Sequence, residues 1–193
     1  MRDLTYLATT PIAVLGGGAV GKTCAADCKL AGREVRLYSR CKKSLAYLDK
    51  TGILLDGIQR NVYGFERSGR AHLDMYSTDM AEVVKGAKLI LLSVPALAHE
   101  HYLKTLVPLL EDGMVIHTFT DNYASLLLRK YMREAGCTKD VIIGGLETLE
   151  YRGYDSAGVA ILNNAGDLNV FKTKGKVENL EKYCQGKDVS GCI

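Results

Sequence analysis

An α/β fold is predicted, a doubly wound and mostly parallel sheet followed by a short β-rich C-terminal fragment. Three observations predict it. Short apolar runs such as IAVL at 12–15 and LILL at 89–92 alternate with helix-forming segments, the pattern of strands joined by crossover helices. A glycine loop, GGGAVGK at 16–22, falls between the first apolar run and the first helix. Residues 158–172 instead read as two strands joined across NNAG.

The elements follow in order. Residues 1–10, MRDLTYLATT, lack the long apolar core of a signal peptide and read as a loose lead-in. IAVL at 12–15 suits a buried parallel strand, and 19–31 carries helix formers without proline until Gly32 stops it. EVRLY at 34–38 is a second strand, and 44–50 a short helix. GILLDGIQRNVYGFE at 52–66 reads as a hairpin-like insertion turning at Asp56-Gly57. A strand is expected at 72–77, then a helix capped by Asp79 and ending near Gly86. The strongest strand is 89–94, followed by an amphipathic helix at 98–110 and a strand at 114–118. A basic helix at 125–135, stopped by Gly136, precedes a last strand at 141–143. Ligands of such sheets bind at the carboxyl ends of the strands, where Gly16, Ser39, Pro95 and Thr118 fall.

The glycine loop satisfies two nucleotide-binding patterns. Gly16, Gly18 and Gly21 spell G-x-G-x-x-G, the dinucleotide fingerprint, while Gly16, Gly21, Lys22 and Thr23 spell the phosphate loop G-x-x-x-x-G-K-T. Both use glycine because only a residue without Cβ lets backbone N–H groups approach phosphate closely. Context favours the dinucleotide. The loop sits between strand and helix, and a second strand follows about 20 residues on, where the fingerprint expects the group that reads the ribose. A P-loop hydrolase, the rival reading, needs an apolar strand ending in a Mg²⁺-binding Asp. The best later strand ends in Ser-Val-Pro, and Lys22 is then expected to be a solvated residue of the first helical turn.

The end of the second strand speaks to the cofactor. NAD sites usually place Asp or Glu there against the ribose 2′-hydroxyl. Here the chain reads YSRCKK at 38–43, with no acid and three cations, and a guanidinium suits a 2′-phosphate. NADP is therefore preferred over NAD. The expected cofactor-binding residues are Gly16, Gly17, Gly18, Ala19, Val20 and Gly21 at the pyrophosphate, Ser39 and Arg40 at the adenosine ribose, and Val94 and Pro95 at the cofactor's middle.

Composition sets outer limits. The chain has 193 residues, 47% hydrophobic and 24% charged, as in a soluble globular protein. A net charge of +3 without aromatic-interleaved basic runs argues against nucleic acid. No apolar stretch approaches the ~20 residues of a membrane span. Six cysteines without C-x-x-C spacing argue against zinc and point to a reducing cytoplasm. Cys24 and Cys28, one helical turn apart, read as small buried residues. His99 and His101 are spaced i, i+2 and so lie on different helix faces, which disfavours a shared metal. His117 reads as a strand-end histidine at the ligand edge, and Asp121 and Asn122 as a helix cap rather than catalytic groups. No Ser/His/Asp arrangement emerges, and no catalytic residue is assigned.

The stretches IAVLGGGAVG, AEVVKGAKLILLSVPALAHEHYLKTLVPLLEDGMVI and LRKYMREAGCTKDVII carry a family resemblance. Residues 11–144 resemble the NAD(P)-binding Rossmann domain of octopine/opine dehydrogenases, with kinship to glycerol-3-phosphate dehydrogenases and ketopantoate reductases. The resemblance implies NAD(P)-dependent reduction of the imine formed between an amino acid and a 2-keto acid. It also implies a second, helical domain bearing the catalytic His, which the sequence does not show. TFTDNY at 118–123 replaces the Gly/Pro/Asn-rich loop expected beside the nicotinamide.

Residues 145–193 depart from that family. LEYRGYDSAGVAILN within GLETLEYRGYDSAGVAILNNAGDLNVFKTKGKVENLEK resembles the start of the glutaminase domain of glutamine–fructose-6-phosphate aminotransferase. That family uses an N-terminal cysteine nucleophile, whereas this sequence opens Met1-Arg2, so the segment is expected to be structural. A truncated aminotransferase remains the alternative reading, as does a join without joint function. The exposed edges of the expected hairpin point to self-association.

Overall fold

The computed structural model describes residues 3–56, 67–119, 123–144, 156–162, 168–174 and 177–187. The chain divides into two compact units, Met1–Gly144 and Gly145–Ile193.

In the first unit, β1 (Ile12–Leu15) leads through the glycine loop into α1 (Ala19–Leu30), and β2 (Val35–Tyr38) follows. Two one-turn helices, α2 (Lys42–Leu45) and α3 (Leu48–Thr51), stand where the sequence predicts one, with a break at Ala46-Tyr47. Next come β3 (Ile53–Leu55), β4 (Gly69–Ala71), β5 (Met75–Ser77) and α4 (Met80–Val84). The unit ends with β6 (Leu89–Leu92), α5 (Ala96–Leu106), a 3₁₀ turn, β7 (Met114–Thr118), α6 (Ala124–Glu134) and β8 (Val141–Gly144).

Six of these strands form one sheet in the order β5-β2-β1-β6-β7-β8, every pair parallel. This is the doubly wound order 3-2-1-4-5-6, which reverses direction between β1 and β6. Alternation along β1 explains the two-sided core, because successive side chains of a strand point to opposite faces. Ile12 and Val14 join Val35, Leu37 and Ala25 of α1 on one face. Ala13 and Leu15 join Ile90, Leu92, Ile116, Leu103, Leu106 and Leu128 on the other. A strand buried on both faces must be apolar throughout, and IAVL is.

Local chemistry explains the boundaries. The Asp79 carboxylate accepts the Ala81 N–H at 2.8 Å, the capping read from the sequence. The hairpin differs from expectation: Ile53–Leu55 pairs antiparallel with Gly69–Ala71, so its return strand lies beyond 52–66, and its expected turn runs into 57–66, outside the described residues. The lead-in is tied down. Thr5–Ala8 forms a 3₁₀ turn, the Tyr6 hydroxyl donates to the Gly113 carbonyl at 2.7 Å, and the Arg33 guanidinium donates to the Leu7 and Thr10 carbonyls. Cys24 and Cys28 are half-buried rather than buried. Burial pushes the Cys24 thiol up to about 12, with the neighbouring Cys28 and Asp27 adding to the rise.

In the second unit, β9 (Ser156–Leu162) pairs antiparallel with β10 (Leu168–Lys174), each strand two residues longer at its open end than the sequence indicates. Helix α7 (Val177–Cys184), which the sequence reading missed, packs on both strands with Leu180 buried. The hairpin therefore has a covered face of its own. Tyr151–Asp155 and the turn at 163–167 lie outside the described residues.

Among the described residues no helix is long and apolar enough to cross a membrane.

Candidate dinucleotide site

The carboxyl ends of β1, β2 and β6 open into a cleft of about 300 Å³. Gly16, Gly17, Gly18, Ser39, Arg40, Val94 and Pro95 line it together, seven of the ten residues expected from the sequence. Gly21 is buried behind the loop, and Ala19 and Val20 form the exposed first turn of α1.

The three fingerprint glycines differ in what holds them. Gly16 has φ +130°, a backbone that disfavours a side chain, and a Cβ there would lie 2.6 Å from the Ser93 carbonyl oxygen. At Gly21 a Cβ would lie 1.8 Å from the Gly16 carbonyl oxygen, so this glycine lets α1 pack against the end of β1. Gly18 is otherwise. Its φ of −77° suits any residue, and a Cβ there would meet no protein atom within 4 Å. Protein packing thus accounts for the first and third glycines, and space beside the backbone is what the second one leaves. Gly17, between them, is held against the turn after β2: its Cβ would lie 2.6 Å from Ser39 Cβ and 2.7 Å from Ser44 Oγ.

Gly18 is the N-cap of α1, and the first helical bond runs from the Lys22 N–H to the Gly18 carbonyl at 3.0 Å. The amides of Ala19, Val20 and Gly21 precede that bond and have no intrahelical acceptor, which makes this helix end receptive to an anion. The same geometry argues against the phosphate-loop pattern. That loop must stay open up to its Gly-Lys-Thr, whereas here the helix has begun at Ala19 and Lys22 sits a full turn along it. Lys22 is half-buried on α1, less solvated than expected.

Ser93 is a support the sequence reading did not single out. Its N–H donates to the Leu15 carbonyl at 2.9 Å and its hydroxyl to the same carbonyl at 3.2 Å, holding the glycine loop to the end of β6. Ser39, 4% exposed, is tied into the turn after β2: its Oγ lies 2.6 Å from Ser44 Oγ and accepts the Cys41 N–H at 3.2 Å. Cys41, Ser44, Ala98 and Tyr102 also line the cleft. The i, i+4 spacing of Ala98 and Tyr102 after Ser-Val-Pro was the available signal, since it places both on one face of α5.

Arg40 is exposed at the cleft rim, its guanidinium carbon 5.7 Å from the centre of the Tyr102 ring. Tyr102 meets Tyr38 edge-on at 5.4 Å. Burial pushes the Tyr102 phenol up, against the opposing influence of Arg40, so the ring stays neutral at physiological pH. Lys42 and Lys43 follow, exposed on α2, and no carboxylate stands between Ser39 and Leu48.

The histidines are placed as the helix and strand geometry expects. His99 is buried and His101 exposed, on different faces of α5, and His117 stacks edge-on against Phe119 at 5.2 Å near the end of β7. Asp121 and Asn122 lie outside the described residues, and the N-cap of α6 is Tyr123, with φ 66°.

A parallel 3-2-1-4-5-6 sheet with a fingerprint glycine loop at its switch point defines a dinucleotide-binding Rossmann domain. Residues 11–121 match the family of the NAD-dependent glycerol-3-phosphate dehydrogenase N-terminus. The chain belongs to that family. Among solved structures it is similar to octopine dehydrogenase with NADH and L-arginine, at 19% identity and a TM-score of 0.60, covering 94% of this chain and 48% of that one. It is also similar to a ketopantoate reductase from Ralstonia eutropha JMP134, at 18% identity and a TM-score of 0.54, covering 79% of this chain and 42% of that one. At such identity these likenesses show the fold alone. A different relative matches a short stretch: glutamine–fructose-6-phosphate aminotransferase from Bacteroides thetaiotaomicron is 57% identical over 53 residues, 28% of this chain. The chain spans only 9% of that aminotransferase and less than half of the two solved enzymes.

Proposed function

We propose that residues 11–144 form the cofactor domain of an opine-dehydrogenase-type oxidoreductase that takes NADP in preference to NAD. The observation that carries the reading is Gly18, whose missing side chain leaves space on the cleft while Gly16 and Gly21 are accounted for by packing. Gly16, Gly17, Gly18 and Gly21 shape the turn under the pyrophosphate, and the amides at Ala19 and Val20 meet its charge. Ser39 and Arg40 receive the adenosine ribose, and Val94 and Pro95 face the middle of the dinucleotide. The family is named for NAD; the preference for a 2′-phosphate rests on the acid-free, cationic end of β2 in this chain.

The cofactor supplies hydride chemistry, and an imine of an amino acid and a 2-keto acid is the proposed acceptor class. The groups that position that substrate and donate its proton are proposed to lie outside 11–144. For 145–193 we propose a structural role, with self-association through the strand edges and without glutamine hydrolysis. A cytoplasmic setting accords with the exposed free thiol of Cys41.

The test is a titration of the chain with NADPH, NADH and ATP, followed by the shift in thermal midpoint, because a ligand that binds the folded state raises it by mass action. NADPH is expected to give the largest shift and Lys22→Ala to leave it intact. A shift with ATP alone, abolished by Lys22→Ala, would favour a phosphate-loop protein instead.

A further inference from the structure

We propose that Tyr102 is a positioning residue for cofactor choice: its ring and hydroxyl hold the Arg40 guanidinium at the cleft rim, where its remaining N–H donors meet a 2′-phosphate. This rests on the dinucleotide reading above and adds a residue to it that no fingerprint contains.

Arg40 is exposed, and among the described residues no salt bridge engages it, although seven other Arg or Lys side chains are so engaged, among them Lys29 with Asp74, Arg36 with Glu34, Arg67 with Asp27 and Lys88 with Glu111. A carboxylate partner would occupy the planar fork that binds phosphate oxygens. An aromatic face does not. It attracts the cation through its quadrupole, and although the Tyr102 hydroxyl accepts a hydrogen bond from the Arg40 side chain, the guanidinium has five N–H donors and keeps the others for another partner. Arg40 sits 5.7 Å from the centre of Tyr102.

The ring is in turn fixed. Tyr102 is 4% exposed on α5, one turn beyond Ala98 of the cleft wall, and packs edge-on at 5.4 Å against Tyr38, the last residue of β2. Tyr38 precedes Arg40 by two residues, so one aromatic pair joins the strand that presents the arginine to the helix that receives it. A long exposed arginine loses rotamer freedom when it binds a ligand, and a ring that already restricts it removes part of that loss.

The experiment measures dissociation constants for NADPH and NADH with wild type, Arg40→Ala, Tyr102→Leu and Tyr102→Phe, each checked for a cooperative unfolding transition. Tyr102→Leu is expected to reduce the NADPH-over-NADH preference about two- to fivefold, the range of an exposed cation–π contact, with NADH affinity nearly unchanged. Tyr102→Phe keeps the ring but not the hydroxyl that accepts from Arg40, and is expected to lose less of the preference than Tyr102→Leu. Adding Tyr102→Leu to Arg40→Ala is expected to change the preference no further. If Arg40→Ala erodes the preference and Tyr102→Leu does not, the inference about Tyr102 is overturned while the dinucleotide reading stands. Equal losses in Tyr102→Phe and Tyr102→Leu overturn the role of the ring. If wild type binds neither nucleotide, the functional reading itself fails. Should Tyr102→Leu fail to fold, Tyr102→Phe and Tyr102→His, which retain a planar ring, against Tyr102→Met, which does not, carry the same comparison.

Discussion

Adding one methyl group at each of two fingerprint glycines separates folding from binding. In Gly21→Ala the new Cβ would sit 1.8 Å from the Gly16 carbonyl oxygen and 2.5 Å from Ser93 Oγ. An ordinary carbon–oxygen approach is about 3.3 Å, so α1 must withdraw from the end of β1 by roughly 1.5 Å. Overpacking of this kind costs about 1–3 kcal/mol, here at the upper end because the obstructing atom is backbone. Replacing a helical glycine by alanine returns at most ~1 kcal/mol. The net is about 2 kcal/mol, a fall in Tm of roughly 4–8 °C for a protein of this size. Gly18→Ala meets no protein atom and has an allowed backbone, so its Tm is expected to change little, the stiffer unfolded chain offsetting alanine's poorer fit to the N-cap position. Its affinity for NADPH is expected to fall roughly tenfold or more, about 1.4 kcal/mol, because the methyl enters the space proposed for the pyrophosphate. Thermal unfolding of the ligand-free variants and titration with NADPH read the two effects apart. A Gly18→Ala protein that binds NADPH as wild type does, or that melts as early as Gly21→Ala, would refute the reasoning.

Other expectations follow from single contacts. Asp79→Ala removes the cap on α4 and should cost about 0.5–2 kcal/mol in urea unfolding, with Asp79→Asn largely restoring it. The Lys88 ammonium donates to Glu111 at 2.7 Å and holds that carboxyl below its ordinary value of 4.5. A depressed folded-state value stabilises the protein fully above the ordinary value and is lost as pH falls through the lower one. The urea midpoint should therefore drop on going from pH 6 to pH 3, and by less in Lys88→Met. With the Cys24 thiol pushed up to about 12 by burial, a thiol reagent at pH 8 should modify exposed Cys41 well before Cys24, read by mass spectrometry after a short exposure.

What the sequence made legible was local. The IAVL run, the glycines after it and Asp79 each act within a few residues, so strand, turn and cap could be read from their own chemistry. The break between Lys42–Leu45 and Leu48–Thr51 was not legible, because no glycine or proline marks Ala46-Tyr47 as its place. The partner of Ile53–Leu55 lay beyond the expected turn, since register depends on a strand that the local pattern does not mark. Helix α7 went unread because KVENLEKYC is short and polar, and its apolar side gains meaning only from the strands it covers. In the cleft, the glycines, Ser39, Arg40, Val94 and Pro95 were named from the motif, whereas Ser93, Ser44 and Tyr102 come from tertiary contacts across 78, 5 and 62 positions of chain. The lead-in was read as loose because nothing local orders it; Arg33 and Gly113 do so from afar.

The most direct test of the central claim is to map NADPH onto the chain by amide chemical-shift perturbation, practical at 21.1 kDa. The largest changes are predicted at Gly16–Gly18, Ala19, Val20, Ser39, Arg40 and Val94, with Gly158 and Phe171 unmoved. Perturbations centred elsewhere, or none at saturating NADPH, would contradict the account.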